Sequence, residues 1–241
     1  MKQLLNLLRN SCKTTVFTGA GVSTLSGISD FRGPNGIYNK LWNGYHVEDI
    51  LSLDCFLARP DLFYTWAKEF IYSADEFQPN TVHTVLAEWE KLCLIDSVYT
   101  QNIDNLHQRA GSRKVYEIHG GASCHHCLKC GHTYNYNEIF PVVMQGKVPM
   151  CSCNGLIKPD IVFYGENLDE KLLQKAFADF NSSELIIVLG SSLTVYPAAE
   201  LPMSAAKCGI KTVICNAQPT LIDSYTVLKY NDLADLFAQY R

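Results

Sequence analysis

The sequence predicts an α/β fold in which a doubly wound parallel sheet forms the larger part and a second, smaller domain is attached. Three observations predict it. Short apolar segments alternate with helical patterns over most of the chain. A glycine turn follows the first apolar segment, and four cysteines in two close pairs lie where the alternation is interrupted. With 241 residues, 47% of them hydrophobic, the chain can bury a sizeable core.

Six short apolar segments predict the strands of the sheet. They read as buried parallel strands, which are covered on both faces and therefore lack a polar side. The predicted strands are 15–18, 95–100, 115–118, 185–189, 212–215 and 225–228.

Two segments carry clear helix signals. Segment 1–12 is rich in leucine, but Asn6 and Arg9 interrupt it, which indicates an amphipathic helix instead of a signal peptide or a membrane span. Asn80 is a favourable N-cap, and apolar residues follow it at helical spacing from Val82 to Trp89. A helix should begin there and pack one face on the sheet.

The segment 16–33, VFTGAGVSTLSGISDFRG, predicts a nucleotide site. Gly19 and Gly21 let the backbone turn tightly and approach a phosphate, as in a Rossmann-like fold. The standard dinucleotide motif would place a third glycine where Thr24 stands and an acidic residue about twenty positions further on, and neither is present. The polar and aromatic cluster at 29–33 follows directly, where it could act on the bound nucleotide.

The composition excludes some classes of function. A formal net charge of −4 argues against general nucleic-acid binding, which depends on a surplus of basic residues. No membrane association is expected. Ten cysteines without an export signal indicate reduced thiols, metal ligation and a cytoplasmic location.

Two stretches interrupt the alternation and predict the smaller domain. One is rich in glycine, asparagine and aromatic residues, and the other holds half of the cysteines. They run from Gly33 to about Pro60 and from Gly120 to about Pro159, and both look like insertions that form a second, smaller module.

The cysteine pairs predict a structural zinc ribbon. Cys127 and Cys130 are separated by two residues, and after twenty more residues Cys151 and Cys153 are separated by one. Four protein sulfurs leave no open coordination position, so the metal should not be catalytic. The first pair could alternatively be formed by Cys124 and Cys127, but Gly131 after Cys130 favours the pair chosen here.

Polar residues follow several predicted strands, at the sheet edge where open α/β folds bind ligands. Gln101, Asn102 and Asp104 come after the second strand, although Asn102 could simply cap a helix over 103–110. His119 ends the third strand before a glycine and is a candidate general base. Two further turns carry small or polar residues, at 190–192 and at Asn216.

Long motifs occur in one order over essentially the whole chain. They are GAGVSTLSGISDFRG at 19–33, TQNIDNLHQRAGS at 100–112, EIHG at 117–120, the two cysteine pairs, KPDIVFYGE at 158–166, GSSLTVYPA at 190–198 and the signature at 216–220. Together they resemble the sirtuins, the family of NAD-dependent protein-lysine deacylases, in a bacterial type close to the minimal catalytic core. The resemblance implies a Rossmann-like NAD-binding domain from 1–33, 78–119 and 160–241, and a small domain formed by a helical insertion at 34–77 and a zinc module at 120–159.

The resemblance implies that NAD is consumed as a cosubstrate together with an acyl-lysine peptide. Nicotinamide leaves, the acyl oxygen attacks C1′ of the ribose, and His119 acts as general base on a ribose hydroxyl, with Asn102 and Asp104 as further catalytic residues. The glycine turn and Arg32 would hold the pyrophosphate. The implied NAD-binding residues are Gly19, Ala20, Gly21, Thr24, Asp30, Phe31, Arg32, Gln101, Asn102, Ile103, Asp104, His119, Gly190, Ser191, Ser192, Asn216 and Asp232.

The resemblance also implies how the peptide binds. An acetyl-lysine peptide would add a strand to the segment around Val162, a mode that depends little on the peptide sequence. The implied substrate-binding residues are Ile161, Val162, Phe163, Gly165, Glu166 and Val195. A monomer is expected.

Two departures from the family pattern bear on function. Ser29 stands where the family usually has proline, which removes no catalytic group. Family members that prefer acyl groups with a carboxylate carry Tyr-x-x-Arg, and here Tyr64 is followed three positions later by Ala67. The sequence therefore predicts a deacetylase. The alternatives are a deacylase for other neutral acyl groups, a mono-ADP-ribosyltransferase, a nicotinamide oxidoreductase and a non-catalytic NAD sensor.

Overall fold

The computed structural model describes residues 1–34, 36–73 and 76–240. In chain order, its strands are β1 (Thr14–Thr18), β2 (Leu41–Trp42), β3 (Tyr45–His46), β4 (Ser97–Thr100), β5 (Val115–Glu117), β6 (Gly120–Cys127), β7 (Thr133–Asn135), β8 (Ile157–Ile161), β9 (Leu185–Leu189), β10 (Lys211–Cys215) and β11 (Leu228–Tyr230). Its α-helices are α1 (Lys2–Arg9), α2 (Val47–Ile50), α3 (Leu53–Ala58), α4 (Pro60–Phe70), α5 (Thr81–Lys91), α6 (Leu106–Arg109), α7 (Tyr136–Met144), α8 (Glu170–Asn181), α9 (Glu200–Lys207) and α10 (Leu233–Ala238).

The large sheet has six parallel strands in the order β11-β10-β9-β1-β4-β5. β1 lies in the middle, where it pairs with β4 on one side and with β9 on the other. The chain builds outward from β1 in both directions, so the strand order reverses between β1 and β9. In open α/β sheets a crevice forms at such a switch point, outside the carboxyl ends of the strands. The fold class predicted from the sequence is confirmed.

Helices cover both faces of this sheet, as a doubly wound fold requires. On one face, α1, α5 and α10 contribute Leu4, Trp89 and Phe237 to a buried cluster. On the other face, α8 and α9 contribute Phe180 and Met203. The expected first helix and the helix after Asn80 are both present, and the Asn80 side chain accepts a hydrogen bond from the backbone N–H of Val82.

The last predicted strand, 225–228, is wrong in position. Asp223–Tyr225 forms a short 3-10 helix, and the strand begins at Leu228. Asp223 accepts hydrogen bonds from Thr220 and from Lys229, and these contacts hold the tight turn. Tyr225 is 48% exposed, so an apolar segment that read as a buried strand lies on the surface.

A second core lies beside the sheet. The three-stranded sheet β7-β6-β8 packs with α2, α3, α4 and α7 around buried residues that include Phe56, Phe63, Trp66 and Val143. The predicted division of the chain into two domains remains our interpretation of these cores. Within the described residues, no helix combines the length and apolarity needed to cross a membrane.

Candidate functional site

A cavity of about 490 Å³ opens at the carboxyl ends of the central strands of the large sheet, next to the second core. Residues from both parts of the fold line it. All of the predicted NAD-binding and substrate-binding residues except Asp104 are among them. Motifs that are far apart in the sequence are therefore brought to one site.

Two glycine turns meet at the switch point between β1 and β9. The backbone N–H of Gly21 donates to the carbonyl oxygen of Gly190 at 2.9 Å. A Cβ atom at Gly19 would lie 2.7 Å from that oxygen, and one at Gly21 would lie 2.8 Å from the Gly190 Cα. Gly190 itself has φ +60°. Only glycine fits these positions, because the two backbones touch, and this leaves a bare backbone surface for a phosphate group.

A chain of hydrogen-bonded polar groups, of which Ser23 and Asn102 are buried, lies behind the first glycine turn. The Asn102 side-chain amide donates to the Gly19 carbonyl oxygen and to the Ser23 hydroxyl, both at 3.1 Å. The Ser23 hydroxyl donates to Asp104 at 2.5 Å. Burial raises the pKa of the Asp104 carboxyl. The alternative in which Asn102 caps a helix over 103–110 is wrong, because α6 begins at Leu106 and its backbone N–H donates to Asp104.

His119 is oriented by a backbone carbonyl. Its Nδ1 lies 3.2 Å from the carbonyl oxygen of Gln101. A carbonyl oxygen can only accept, so Nδ1 carries the proton and Nε2 remains free to act as a base. Burial lowers the pKa of His119 from its ordinary value, which keeps the imidazole neutral near pH 7. The Gln101 side chain reaches across to the Ser191 hydroxyl at 2.7 Å.

Small polar side chains lie near the end of the cavity beyond the glycine turns, where a ribose could be bound. Ser192 bonds the Thr194 hydroxyl at 2.9 Å. The Asn216 amide donates to the Gln218 carbonyl oxygen at 2.8 Å, which fixes its orientation. Asp232 caps α10 by accepting from the backbone N–H of Asp235, so its carboxylate is partly engaged within the chain.

The predicted substrate segment runs from β8 along the mouth of the cavity. The backbone N–H of Val162 donates to the His119 carbonyl oxygen at 2.8 Å, which ties this segment to the candidate base. The Glu166 carboxylate turns inward, where it accepts from the backbone N–H of Phe163 and from the buried Lys158 ammonium, both at 2.8 Å. Glu166 therefore shapes the turn rather than presenting its charge to a ligand.

The inner wall near this segment is apolar. Leu51, Trp66 and Phe163 line it. Tyr64 is buried, and its hydroxyl donates to the Ile157 carbonyl oxygen at 2.6 Å, so it is not free for a substrate. Among the described residues, Arg32 is the only lysine or arginine that lines the cavity. An acyl carboxylate would find no cation at the position of Ala67.

The cysteine cluster lies away from the cavity. The four sulfurs of Cys127, Cys130, Cys151 and Cys153 all lie within 4.8 Å of one another. Two of these distances are 3.5 and 3.7 Å, close to the S–S edge of about 3.8 Å that a tetrahedral zinc site with 2.3 Å bonds requires. The four cysteines fit a structural zinc site, and the exposed Cys124 is outside the cluster.

The model of the Sir2 family matches residues 19–197. The chain belongs to this family. It is 47% identical over 232 residues, 96% of this chain and 92% of the relative, to an NAD-dependent protein deacetylase of Thermotoga maritima. A solved Sir2 complex with a deacetylated p53 peptide and 3′-O-acetyl ADP ribose superposes with a TM-score of 0.91 at 46% identity, covering 99% of this chain and 95% of that one. A Sir2 complex with a p53 peptide and NAD⁺ gives 0.89 at 44% identity with the same coverage.

Some residues of this Sir2-family cleft were missed by the sequence reasoning. Ser23 lies inside the glycine motif, but its partners Asn102 and Asp104 come from another strand. Tyr38 and Tyr164 line the cavity and bond each other across it. A tyrosine in a loop carries no local signal for such a role, since only the tertiary fold pairs it.

Proposed function

We propose that the protein is an NAD-dependent protein-lysine deacetylase that transfers the acetyl group of acetyl-lysine to ADP-ribose and releases nicotinamide. The observation that carries the proposal is the placement of His119. His119 shares one cavity with a glycine turn for a pyrophosphate and with the segment around Val162 for a peptide, and its Nε2 is free to accept a proton. The relative from Thermotoga maritima has the same activity in its name.

NAD fits the cavity as a consumed cosubstrate. Gly19, Gly21 and Gly190 have no side chains, and a Cβ at any of them would clash with the facing backbone. Their backbone is therefore accessible to the pyrophosphate. The buried Asn102 lines the cavity and would border the nicotinamide end, with Ser23 and then Asp104 hydrogen-bonded behind it. These groups hold the cofactor and exclude water, so that C1′ reacts with the acyl oxygen.

His119 would supply the base that the reaction needs. A neutral imidazole with its Nδ1 proton held by Gln101 accepts a proton at Nε2 from a ribose hydroxyl. That hydroxyl then attacks the carbon of the acyl group. The lowered pKa of His119 means that the base is in the correct form near neutral pH.

The acyl group would be small and neutral. The apolar wall of Leu51, Trp66 and Phe163 suits a methyl or short alkyl chain, and no arginine replaces Ala67 to pair a carboxylate. The peptide would add a strand to the segment around Val162. The zinc ion would hold the small sheet together and take no part in catalysis.

The test is an assay of the wild-type protein with NAD and matched acetyl-lysine and succinyl-lysine peptides. We expect one nicotinamide released for each acetyl group removed, with the succinyl peptide much slower. NADH should not form. Transfer of labelled ADP-ribose to protein in the absence of acyl-lysine would instead favour the mono-ADP-ribosyltransferase, and faster desuccinylation would contradict the acyl assignment.

We also propose a cytoplasmic location and a monomeric state. None of the ten cysteines, all of which the structure describes, forms a disulfide bond, which supports a reducing compartment. Light scattering during size-exclusion chromatography would test the monomer.

A further inference from the structure

Tyr164 connects the two sides of the cleft. Its backbone belongs to the substrate segment, since its N–H donates to the Leu51 carbonyl oxygen and its own carbonyl oxygen accepts from Leu53, both at 2.9 Å. Its side chain, 40% exposed, reaches the loop that follows the glycine turn. There its hydroxyl lies 3.0 Å from Nη2 of Arg32.

The direction of this hydrogen bond is fixed by chemistry. Arg32 has no acceptor, so it donates and the Tyr164 oxygen accepts. The Tyr38 hydroxyl lies 3.2 Å from the same oxygen, and the guanidinium carbon lies 4.9 Å from the centre of the Tyr38 ring. Burial raises the pKa of Tyr38, which keeps it a neutral hydroxyl. The two tyrosines thus hold one edge and one face of the guanidinium.

The other partner of Arg32 is weak. Glu48 lies 3.5 Å from Nη2, and both side chains are substantially exposed, at 34% and 49%. A surface ion pair of this kind contributes little. Among the described residues, the hydrogen bond and the ion pair of Arg32 both involve Nη2, the Tyr38 ring lies against the face of the guanidinium, and Arg32 lines the cavity.

A free arginine side chain has many conformations, and a phosphate must select one of them. A guanidinium already held in place loses less freedom on binding, and its fork can pair two phosphate oxygens. A hydroxyl that fixes Arg32 would therefore increase affinity for the cofactor without touching it.

We propose that Tyr164 is a positioning residue that holds the Arg32 guanidinium toward the pyrophosphate of NAD. The inference rests on the proposed function for the identity of the cofactor. Tyr164 acts on the cofactor through Arg32, and not through the peptide, although its backbone lies in the peptide-binding segment.

The test is calorimetric titration with ADP-ribose, which has the pyrophosphate but undergoes no reaction. Four proteins are compared: wild type, Tyr164→Phe, Arg32→Ala and the double variant. We expect Tyr164→Phe to weaken ADP-ribose binding about fivefold, as for the loss of one hydrogen bond of typical net strength at a partly exposed site. In the Arg32→Ala background the same change should have almost no effect, because the two residues act as one unit. In the deacetylase assay, the KM for NAD should rise while kcat and the KM for the peptide stay unchanged.

Tyr225→Phe is the matched control, since it removes the hydroxyl of an exposed tyrosine outside the cavity. It should bind ADP-ribose as the wild type does, and all variants should have the wild-type melting temperature. Wild-type affinity in Tyr164→Phe would overturn the inference, as would a fivefold loss that persists in the Arg32→Ala background. Failure of the wild type to deacetylate would refute the proposed function alone, because ADP-ribose binding is measured independently.

Discussion

The cleft and the cysteine cluster are built in opposite ways. The cleft gathers Gly19, Asn102, His119 and Gly190 from the ends of separate strands, and a large buried sheet fixes their positions. The cluster takes its four sulfurs from one short stretch whose small sheet has only three strands. We infer that the cleft can lose a reactive group and stay folded, whereas the small sheet depends on its metal.

Removal of zinc should have the largest effect. Metal binding and folding are coupled in small modules of this kind, so chelation or Cys151→Ser should unfold the small sheet and abolish activity indirectly. Circular dichroism, zinc content and activity should fall together. Cys124→Ser is the control, because Cys124 is exposed and outside the cluster. Loss of activity from a protein that stays folded would contradict a structural role for the metal.

His119→Ala should show the opposite pattern. Loss of the general base should lower kcat by about a thousandfold. Thermal unfolding should hardly change, since His119 is half-buried and, among the described residues, its side chain is hydrogen-bonded only to Gln101. The exposed His46, changed to alanine, should leave the rate unaltered. Retention of activity in His119→Ala would remove the basis of the assigned mechanism.

Lys158→Met tests how the substrate segment is held. Its buried ammonium bonds the Glu166 carboxylate and the Ile161 carbonyl oxygen, at 2.8 and 2.7 Å. Removing one partner of a largely buried ion pair leaves the other charge uncompensated, and we expect a loss of about 2 kcal/mol in urea unfolding. Adding Glu166→Gln should recover part of it. The exposed Lys171, changed to methionine, serves as control, and an equal effect there would contradict the explanation.

The last prediction concerns the pH dependence of stability, an effect that is absent at neutral pH. Burial lowers the pKa of His83 to about 4 and that of His107 to about 3. Below about pH 6.5 these histidines become protonated in the unfolded chain but stay neutral in the folded protein. The stability that depends on them is therefore fully present above that pH and decreases as the pH falls toward 4. His83 is also the third residue of α5, where glutamine can bond the N-cap in the same way.

His83→Gln should therefore make the decline shallower, by up to about 1.4 kcal/mol per pH unit. Unfolding free energies measured from pH 7.5 to 4.5 would show it, with His46→Gln as the unaffected control. An identical decline in wild type and His83→Gln would mean that His83 is not the group that resists protonation.

Much of the fold and of the cleft could be predicted because their signals are local. The glycine turn, the polar residues after the strand ending at Thr100, and each of the two cysteine pairs lie within a few residues, and the parallel sheet brings the first two of these together. The misplaced strand at 225–228 lies at the edge of the sheet, where apolar residues are exposed. A run of apolar residues there does not indicate a buried strand.

The missed contacts share a different property. Ser23 with Asp104, Arg32 with Tyr164, and the turn closed by Glu166 and Lys158 depend on where side chains meet after folding. The sequence motifs single out some of these residues, but nothing in the local sequence shows which side chains they contact. Their roles become visible only in three dimensions.

The most direct test of the account is the fate of the acetyl group. Mass spectrometry of the small molecules formed from NAD and an acetyl-lysine peptide should find acetylated ADP-ribose and nicotinamide in equal amounts. Release of free acetate with NAD left intact, or formation of NADH, would contradict the conclusion that this cleft breaks NAD to accept an acetyl group.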